Sequence, residues 1–547
     1  MSPPIPCPGA SALVKKIFLE TFGCQMNVLD SELVAAQLAG LGYSFTPEIA
    51  DAQVVLYNTC SVRELAEQKV WSRLGLLKDR KAADPALVIG VIGCMAERDG
   101  LSLMKRMPYV DLMCGPSELD KLPHLLENVL VTGRQQHALA GNTARRSKTI
   151  DHAQEDGLEL LDLSRSFSPS TDRGGGAYIR IVRGCDKFCT YCVVPYTRGP
   201  EVSRSPQAIL EEARKLVAAG CLEITLLGQT VNHYVYEHDT AASTSTGPVR
   251  RTTTFAELLQ LLHDRLPDLP RLRFITSFPA DFSDDILHVI AQSPRICRYL
   301  HIPAQSGSNR ILKMMNRGYT VEQYLDLLAR ARRIVPDLFF AGDMIVGFPT
   351  ETDADYQASR ALMEQARYKN CFIFKYSPRP GTVAITRFPD DVPDEVKRFR
   401  NNDLLRLQNV ISAEINGKLV GTIVEVLCEG ATGWEKEGES VIAGAGIVAP
   451  PAEACGDHAP ARIELGARLA SALGTTLAPP PPSSPPRSDV APARHTTDSV
   501  QLTGRTTSDQ VVVFNGPEKL AGRIVPVRVR RAHGMTIFAD LAQHPGQ

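Results

Sequence analysis

Three cysteines lie close together near the middle of the chain. Cys185, Cys189 and Cys192 are separated by three and by two residues. Thiols at such short spacing predict a shared metal centre. A structural zinc site closes with four ligands, whereas a four-iron cluster held by three thiolates keeps one iron free to bind another molecule. Three ligands therefore favour an iron–sulfur cluster with an open iron, at which chemistry can take place.

A zinc site is the alternative for this cysteine loop, residues 183–192. Its fourth ligand would have to come from elsewhere, for instance from Cys221. Zinc ligands more often occur as repeated C-x2-C pairs, so the spacing favours the cluster. Arg183 and Lys187 flank the cysteines, and we expect their charges to favour the thiolate form.

A second group of three cysteines has no local motif. Cys24, Cys60 and Cys94 each follow a predicted strand, at separations of 36 and 34 residues that match one βα unit each. The carboxyl ends of strands in an open parallel sheet line one crevice, where ligands bind. We therefore expect a second three-thiolate cluster site there. Small buried cysteines at strand ends are the alternative.

The first part of the chain alternates apolar runs with longer helical patterns, which predicts βαβ units. The predicted strands cover residues 17–22, 54–57 and 87–92, and the predicted helices cover 30–41, 64–77 and 97–107. Asp30 or Ser31 is expected to cap the first helix. Residues 142–173 are polar and are predicted to connect two domains.

A second alternating series predicts a partial (β/α)6 barrel. Its strands are predicted at 177–182, 222–227, 272–276, 299–302, 338–345 and 372–375, and its helices at 206–219, 255–266, 284–292, 321–334 and 353–365. Reactive groups of such barrels lie on the loops that follow the strands, and Cys185 follows the first of them. His301, at the end of another strand, is a candidate to face the active site. Residues 239–254 are predicted to form a surface insertion without an assigned function.

The C-terminal part is predicted to begin with a helix over 393–416 and a strand over 420–427. Residues 431–500 are rich in Ala, Gly, Pro and Ser, with seven prolines after position 470, and are predicted to be a disordered insertion. Strands are predicted again at 510–514, 523–529 and 535–541. Residues 1–15 are predicted to be a disordered tail.

Composition limits the possible functions. The formal net charge of −1 over 547 residues excludes a uniformly basic surface, so any RNA contact has to be local. Thirteen cysteines without a secretory segment or a long apolar run predict a protein of the reducing cytoplasm, outside the membrane and without disulfides. Cys7 is expected to have no role in the chemistry. The remaining cysteines considered are expected to fill the core: Cys114, Cys221, Cys297, Cys371 and Cys428.

Several sequence blocks resemble known families. The cysteine loop is similar to the signature of the radical S-adenosylmethionine (SAM) enzymes. The blocks ETFGCQMN (20–27), NTCSVRE (58–64), GCMAE (93–97) and RGC…VVPYTRG (183–199) resemble the methylthiotransferase family within that superfamily. The resemblance extends from about residue 16 to residue 541.

The resemblance implies an α/β fold of three domains and a linker. These are an N-terminal open parallel α/β sheet domain (16–141), a linker (142–173), a radical SAM core with a partial (β/α)6 barrel (174–415), and a TRAM domain, an OB-like β-barrel (416–544), interrupted by 431–500. It also implies two [4Fe-4S] clusters and SAM as cofactors. The cluster on Cys185, Cys189 and Cys192 would bind SAM and generate a 5'-deoxyadenosyl radical. The cluster on Cys24, Cys60 and Cys94 would hold the sulfur that one SAM methylates.

The activity that the resemblance implies is methylthiolation of C2 of N6-dimethylallyladenosine at position 37 of tRNA. The same chemistry on threonylcarbamoyladenosine or on a ribosomal protein is one alternative. A non-catalytic RNA-binding protein with zinc or structural clusters is another. The implied partners are the tRNA anticodon loop, a flavodoxin or ferredoxin as electron carrier and a sulfur donor, with the enzyme a monomer.

The resemblance also implies side chains that contact the ligands. Those implied for SAM are Glu201, Arg204, Gln229, Asn232, Gln305 and Ser306. The resemblance to TRAM adds Arg505 as an RNA contact. Arg528 and Arg530 alternate with apolar residues, which places them on one exposed strand face suited to RNA phosphates, and an ordinary solvated face is the alternative. Two positions depart from the family pattern, since Phe278 stands where a His is expected and Thr230 replaces a common Asn.

Overall fold

The computed structural model describes residues 15–61, 64–141, 152–165, 167, 173–238, 243–244, 247–248, 251–432 and 499–542. The predicted tail with Cys7 and most of the predicted insertion 431–500 lie outside the described residues. Residues 431–432 and 499–500, at the edges of that predicted insertion, belong to strands or lie directly beside them.

The N-terminal domain is a six-stranded sheet in the order β2-β1-β3-β4-β5-β6, and every neighbouring pair is parallel. The predicted open parallel sheet is therefore confirmed. Its elements are β1 (Lys16–Phe22), α1 (Gln25–Gly40), β2 (Ser44–Phe45), β3 (Val54–Thr59), α2 (Glu64–Ala83), β4 (Val88–Gly93), α3 (Cys94–Asp99), α4 (Leu101–Arg106), β5 (Leu112–Cys114), α5 (Leu122–Thr132) and β6 (Gln136–Ala138).

Two predicted helix boundaries in this domain were wrong. Helix α1 begins directly after Cys24, so Asp30 and Ser31 both lie inside it and neither caps it. The predicted helix 97–107 is two short helices, because Gly100 between them has φ +52. A glycine adopts this left-handed conformation without the strain that a side chain would add.

The connection between the domains contains a helix that was not predicted, α6 (His152–Leu163). It packs against α1 of the N-terminal domain and against α8 (Pro206–Ala218) of the core. Its buried leucines, Leu158 and Leu161, belong to the same apolar core as α1.

The core is an open barrel of two three-stranded parallel sheets, β7-β10-β15 and β16-β17-β18. A bridge between Leu272 and Ile296 joins β15 to the segment that leads into β16, and the Ser277 N–H donates to the His301 oxygen at 2.9 Å. The elements are β7 (Gly176–Arg180), β8 (Val182–Arg183), α7 (Val194–Thr197), β9 (Val202–Ser203), α8 (Pro206–Ala218), β10 (Glu223–Leu227), β11 (Val235–Glu237), β12 (Ser243–Thr244), β13 (Gly247–Pro248), β14 (Thr252–Thr254), α9 (Phe255–Arg265), β15 (Arg271–Ile275), α10 (Asp284–Gln292), β16 (Tyr299–His301), α11 (Asn309–Met314), α12 (Val321–Ile334), β17 (Phe339–Val346), α13 (Asp353–Ala366), β18 (Asn370–Lys375), α14 (Val383–Arg387) and α15 (Asp394–Gly417).

Local sequence explains why the helices of the core were predicted well. Thr254, Thr320 and Thr352 each begin a helix with a capping box, in which the threonine accepts from the backbone three residues on. Such caps satisfy backbone N–H groups that have no partner inside the helix. The described part of the predicted insertion 239–254 is extended, with β11 paired to β14.

The C-terminal part is a closed five-stranded barrel in the order β19-β20-β21-β23-β22. Its strands are β19 (Ile423–Ala431), β20 (Ser499–Arg505), β21 (Val511–Pro517), β22 (Ile524–His533) and β23 (Thr536–Leu541). The neighbours pair antiparallel except for β21 with β23. This is the small β-barrel that was predicted.

Candidate active site

Cys24, Cys60 and Cys94 lie at the same edge of the N-terminal sheet. The strand register aligns Phe22 with Thr59 and Thr59 with Gly93, so the three cysteines follow adjacent strand ends at one level. Cys60 is hydrogen-bonded to Cys24. Cys94 is close enough to Cys24 for a negative charge on Cys24 to raise the pKa of the Cys94 thiol. The structure therefore brings this triad together, as the sequence predicted.

Two asparagines hold this edge in place, and the sequence analysis did not single them out. Asn27 accepts a hydrogen bond from the Cys24 thiol at 3.2 Å and donates to Asn58 Oδ1 at 2.9 Å. Asn58 in turn donates to the backbone oxygen of Asn27 at 2.8 Å. Both side chains are fully buried. Both asparagines lie in the family-like blocks around Cys24 and Cys60. Their place in these blocks was the sequence signal that could have identified them.

The thiols of this triad differ in acidity. The hydrogen bond with Cys60 lowers the pKa of Cys24 to about 6, and the positive charge of Arg198 acts in the same direction. Burial raises the pKa of Cys94, although Arg198 opposes this rise. Because thiolates are the form that binds metal, a buried cation beside the triad favours its use as a ligand set.

Cys185, Cys189 and Cys192 are held on the loop after β8. The Cys185 backbone N–H donates to the Gly199 oxygen at 3.2 Å, and the Cys192 N–H donates to the Cys189 oxygen at 3.0 Å. Arg317 donates from Nη1 to the Cys189 sulfur at 3.4 Å. Burial raises the pKa of Cys192 to about 12, and the negative charge of Cys189 adds to the rise.

The cations predicted beside this loop have other partners. Arg183 is buried and bonds to Glu155 at 3.0 Å and to Asp162 at 2.5 Å. Lys187 forms an ion pair with Asp281 at 2.6 Å. Arg317, which the sequence analysis missed, makes the contact with sulfur. It lies over 120 residues further along the chain, so local spacing carried no signal for it.

The two triads adjoin each other. Helix α3, which begins at Cys94, packs against α7, which follows Cys192 by two residues. Cys94 and Cys192 are close enough for their charges to interact. Arg198, at the end of α7, hydrogen-bonds to Cys94 and pairs with Asp30 at 2.8 Å. Both groups of thiols therefore lie beside the contact between α3 and α7, where the N-terminal domain meets the core.

The position of Cys221 argues against a zinc site at the cysteine loop. Cys221, the suggested fourth zinc ligand, precedes β10, whereas the cysteine loop follows the opposite end of the neighbouring strand β7. Five strand residues separate these levels by about 16 Å. Within the described ranges, no three Cys, His, Asp or Glu side chains are grouped to hold a single metal ion. Cluster thiolates bind separate irons and need not converge on one point.

The six predicted SAM contacts fall into two groups. Gln229 and Gln305 lie on loops at the carboxyl ends of the strands, and their side-chain amides have no hydrogen bond to any described residue. Gln305 has φ +72 and is 9% exposed. The other four have protein partners: Asn232 bonds to the Phe278 backbone, Ser306 accepts from the Ser308 N–H, Glu201 accepts from Thr230, and Arg204 bonds to Glu159 and Glu212.

His301 lies at the end of β16 within a hydrogen-bonded chain. Its Nε2 contacts Asp343 Oδ1 at 3.1 Å, and its Nδ1 contacts the Thr276 hydroxyl. With Nε2 donating to the carboxylate, Nδ1 accepts the hydroxyl proton. His301 and Asp343 are half-buried, whereas Leu300 and Ile302 beside His301 are fully buried. The histidine therefore faces the barrel interior.

The three arginines predicted to bind RNA differ in their surroundings. Arg528 and Arg530 are exposed on β22, where Arg530 pairs with Asp540 at 3.0 Å. Arg505 lies at the junction with the core and pairs with Glu429 and Asp509, each at 3.1 Å. Their roles toward RNA remain predictions.

The five other cysteines considered are buried, as predicted for core residues. Cys114, Cys221, Cys297, Cys371 and Cys428 are each at most 4% exposed. Within the described residues, no helix is both long and apolar enough to span a membrane.

Comparison with known proteins assigns the class. Residues 16–115 match the model of Uncharacterized protein family UPF0004, and residues 179–363 match that of the Radical SAM superfamily. The fold and the cysteine loop therefore define a radical SAM enzyme, and membership of this superfamily implies a [4Fe-4S] cluster and SAM.

Curated relatives narrow this class. A tRNA-2-methylthio-N(6)-dimethylallyladenosine synthase of Rhodopirellula baltica is 41% identical over 96% of this chain and 95% of its own length. A protein of the same name from Bacteroides thetaiotaomicron is 43% identical over 76% of this chain and 86% of its own length. The chain belongs to the family of tRNA-2-methylthio-N(6)-dimethylallyladenosine synthases.

Among solved structures, the radical SAM methyltransferase TsrM of Kitasatospora setae, with cobalamin and a [4Fe-4S] cluster bound, aligns with a TM-score of 0.47. It is 16% identical and covers 68% of this chain and 77% of its own.

Proposed function

We propose that this chain transfers a methylthio group to C2 of N6-dimethylallyladenosine next to the anticodon of tRNA. Family membership supports the substrate. The observation that carries the chemistry is the adjacency of two three-cysteine groups across the interface between the N-terminal sheet and the barrel. An aromatic C–H bond offers no acidic proton, so its replacement requires a radical and a separate source of sulfur.

We assign the SAM-binding cluster to Cys185, Cys189 and Cys192, and a second, sulfur-carrying cluster to Cys24, Cys60 and Cys94. When bound, the first cluster together with SAM supplies a 5'-deoxyadenosyl radical. The chain positions both ligand sets and shields four of the six thiols from water, whereas Cys24 and Cys192 are partly exposed. Cys60 and Cys94 are at most 3% exposed, and Cys185 and Cys189 are 8% exposed. Exclusion of water protects a reactive radical from side reactions.

Gln229 and Gln305 are the best supported of the proposed SAM contacts, because their amides have no hydrogen bond within the described residues. Glu201, Asn232 and Ser306 would have to exchange or share their present bonds. Arg204 is instead proposed to stabilise the structure around the site, since its guanidinium is fully buried among carboxylates.

Arg528 and Arg530 are proposed to contact RNA phosphates from the C-terminal barrel. RNA loops commonly present unstacked bases to proteins. A base of the anticodon loop can therefore be presented to the radical SAM core, at the carboxyl ends of its strands. The proposal also includes a flavodoxin or ferredoxin as electron carrier, a sulfur donor, a monomeric enzyme and a cytoplasmic location.

The alternatives are methylthiolation of threonylcarbamoyladenosine or of a ribosomal protein, and non-catalytic RNA binding. The names of the relatives favour the dimethylallyladenosine substrate, and the unengaged polar groups at the barrel mouth favour an enzyme.

Anaerobic reconstitution tests this function. We expect about eight irons per chain, as two four-iron clusters require, and 5'-deoxyadenosine formation that depends on dithionite. The decisive assay offers tRNA bearing either dimethylallyladenosine or threonylcarbamoyladenosine and identifies the nucleosides by mass spectrometry. Methylthiolation of only the second tRNA would assign a different substrate. Bound zinc without SAM cleavage would overturn the enzymatic proposal.

A further inference from the structure

Arg198 occupies the boundary between the two thiol triads. It lies six residues after Cys192 at the end of α7, and it is only 7% exposed. Its Nη2 donates to Asp30 Oδ2 at 2.8 Å, and the guanidinium also hydrogen-bonds to Cys94. One side chain of the core thus contacts both a helix of the N-terminal domain and a thiol of its triad.

The charge of Arg198 is only partly balanced by carboxylates. Asp30 is fully buried and shares its charge with Arg180, which donates to Oδ1 at 2.9 Å. Arg180 has a second carboxylate of its own, Asp162, at 2.8 Å. Within the described residues, Arg198 forms an ion pair with Asp30 and with no other carboxylate. The part of the Arg198 charge that Asp30 does not balance therefore acts on the thiols of Cys94 and Cys24.

A cation and an N–H donor beside a cluster ligand stabilise the more negative state of the cluster. Hydrogen bonds to the sulfurs and net charge are among the factors that set the reduction potential of iron–sulfur clusters. A buried guanidinium keeps its charge at any working pH, so its influence is constant.

We propose that Arg198 is a positioning residue that makes the cluster on Cys24, Cys60 and Cys94 easier to reduce and fixes that triad against the SAM-binding loop. This inference rests on the second cluster of the proposed function. It assigns a role to a side chain of one domain in setting the properties of a centre held by the other.

The test uses the full chain with Cys185, Cys189 and Cys192 replaced by Ala, so that only the N-terminal cluster remains. The midpoint of its one-electron reduction by dithionite is measured by EPR. The variants are R198M, which removes charge and donors, and R198K, which keeps the charge without the planar group. R180M is the matched control, because Arg180 also binds Asp30 but contacts no cysteine in the part of the chain that the structure describes.

We expect R198M to shift the midpoint to a more negative potential, R198K to shift it less, and R180M to leave it near that of the background. Equal midpoints for R198M and R180M would overturn the inference. If R198M does not retain iron, the test rests on R198K. A midpoint potential of R198K equal to that of the background chain would then overturn the inference. A background chain without about four irons would contradict the second cluster itself, which is a separate failure.

Discussion

Gly93, the residue before Cys94, sets how closely β4 can approach β3. Its φ is +90, and an added Cβ would lie 2.4 Å from Asn58 Oδ1 and 2.8 Å from the Thr59 oxygen. Asn58 belongs to the hydrogen-bonded pair beside Cys24. A side chain at position 93 would therefore disturb the triad as well as the strand end.

We predict that Gly93→Ala destabilises the protein by roughly 2–5 kcal/mol, since backbone strain and overpacking add together. Gly42 is the matched control, because its φ is +89 but nothing lies within 4 Å of an added Cβ. Gly42→Ala should cost only the strain, about 1–2 kcal/mol. Chemical denaturation and iron content measure both effects. Equal losses in the two variants would show that crowding at Gly93 is unimportant.

The cysteines should separate the two halves of the reaction. Cys189→Ala is expected to abolish 5'-deoxyadenosine formation, whereas Cys60→Ala should retain it and lose the methylthio product. Cys114→Ala is the control, because Cys114 also ends a strand of the N-terminal sheet but lies in the core. It should retain both activities. Loss of SAM cleavage in Cys60→Ala to the same extent as in Cys189→Ala would contradict the division of roles.

At the level of elements, α6 joins the two domains through charge. Glu159 and Asp162 contact the buried arginines of β7 and of the cysteine-loop region. Asp162 bonds to Arg180 at 2.8 Å and to Arg183 at 2.5 Å, and Glu159 bonds to Arg204. Removing one partner from a buried ion pair leaves the other charge uncompensated, which is costly.

We predict that Asp162→Asn lowers the free energy of unfolding by about 3–5 kcal/mol at pH 7. Asp156→Asn is the control on the exposed face of the same helix. Arg180, Arg204 and Arg183 hold the pKa of Asp162 far below its usual range despite its burial. The stabilisation is therefore complete above the ordinary carboxyl pKa of about 4 and is lost as the pH falls below it.

The difference in unfolding free energy between the parent and Asp162→Asn should accordingly narrow below about pH 4. Denaturation curves at neutral and acidic pH measure this difference. A constant difference across that range would show that the Asp162 carboxylate does not carry the stabilisation.

At the scale of the whole molecule, the C-terminal barrel docks at the amino ends of the core strands. Arg271 donates to the Arg505 oxygen at 2.9 Å, Arg273 donates to the Thr506 oxygen at 3.0 Å, and Lys369 pairs with Asp509 at 3.1 Å. The cysteine loop lies beyond the carboxyl ends of those strands. The barrel is therefore attached at the end opposite to the proposed chemistry.

We predict that Asp509→Asn loosens this attachment without stopping SAM cleavage. It leaves Lys369, Arg505 and Arg273 without their shared carboxylate. Limited proteolysis should release the C-terminal barrel faster than in the parent, while 5'-deoxyadenosine formation persists. Asp540→Asn is the control, since Asp540 pairs with Arg530 at the surface. Parent-like proteolysis of Asp509→Asn would show that the other contacts, which include the hydrogen bonds from Arg271 and Arg273 to the barrel backbone, are sufficient to hold it.

Much of this protein follows from its sequence. The predicted helices 284–292 and 321–334 coincide with α10 and α12, and the strands that precede Cys60 and Cys94 were found. Caps, turn residues and apolar periodicity act over a few residues, so they can be recognised locally. Three cysteines at strand ends needed only the topology of a parallel sheet to be brought together.

Tertiary structure alone decided which charges meet. Asp30 was expected to cap a helix but instead binds Arg180 and Arg198, which are 150 and 168 residues away. Arg204 was expected at SAM and is buried among the carboxylates of α6 and α8. A buried charge needs a partner in space, and the fold determines which one is near. No local pattern records that choice, because it depends on how two domains pack.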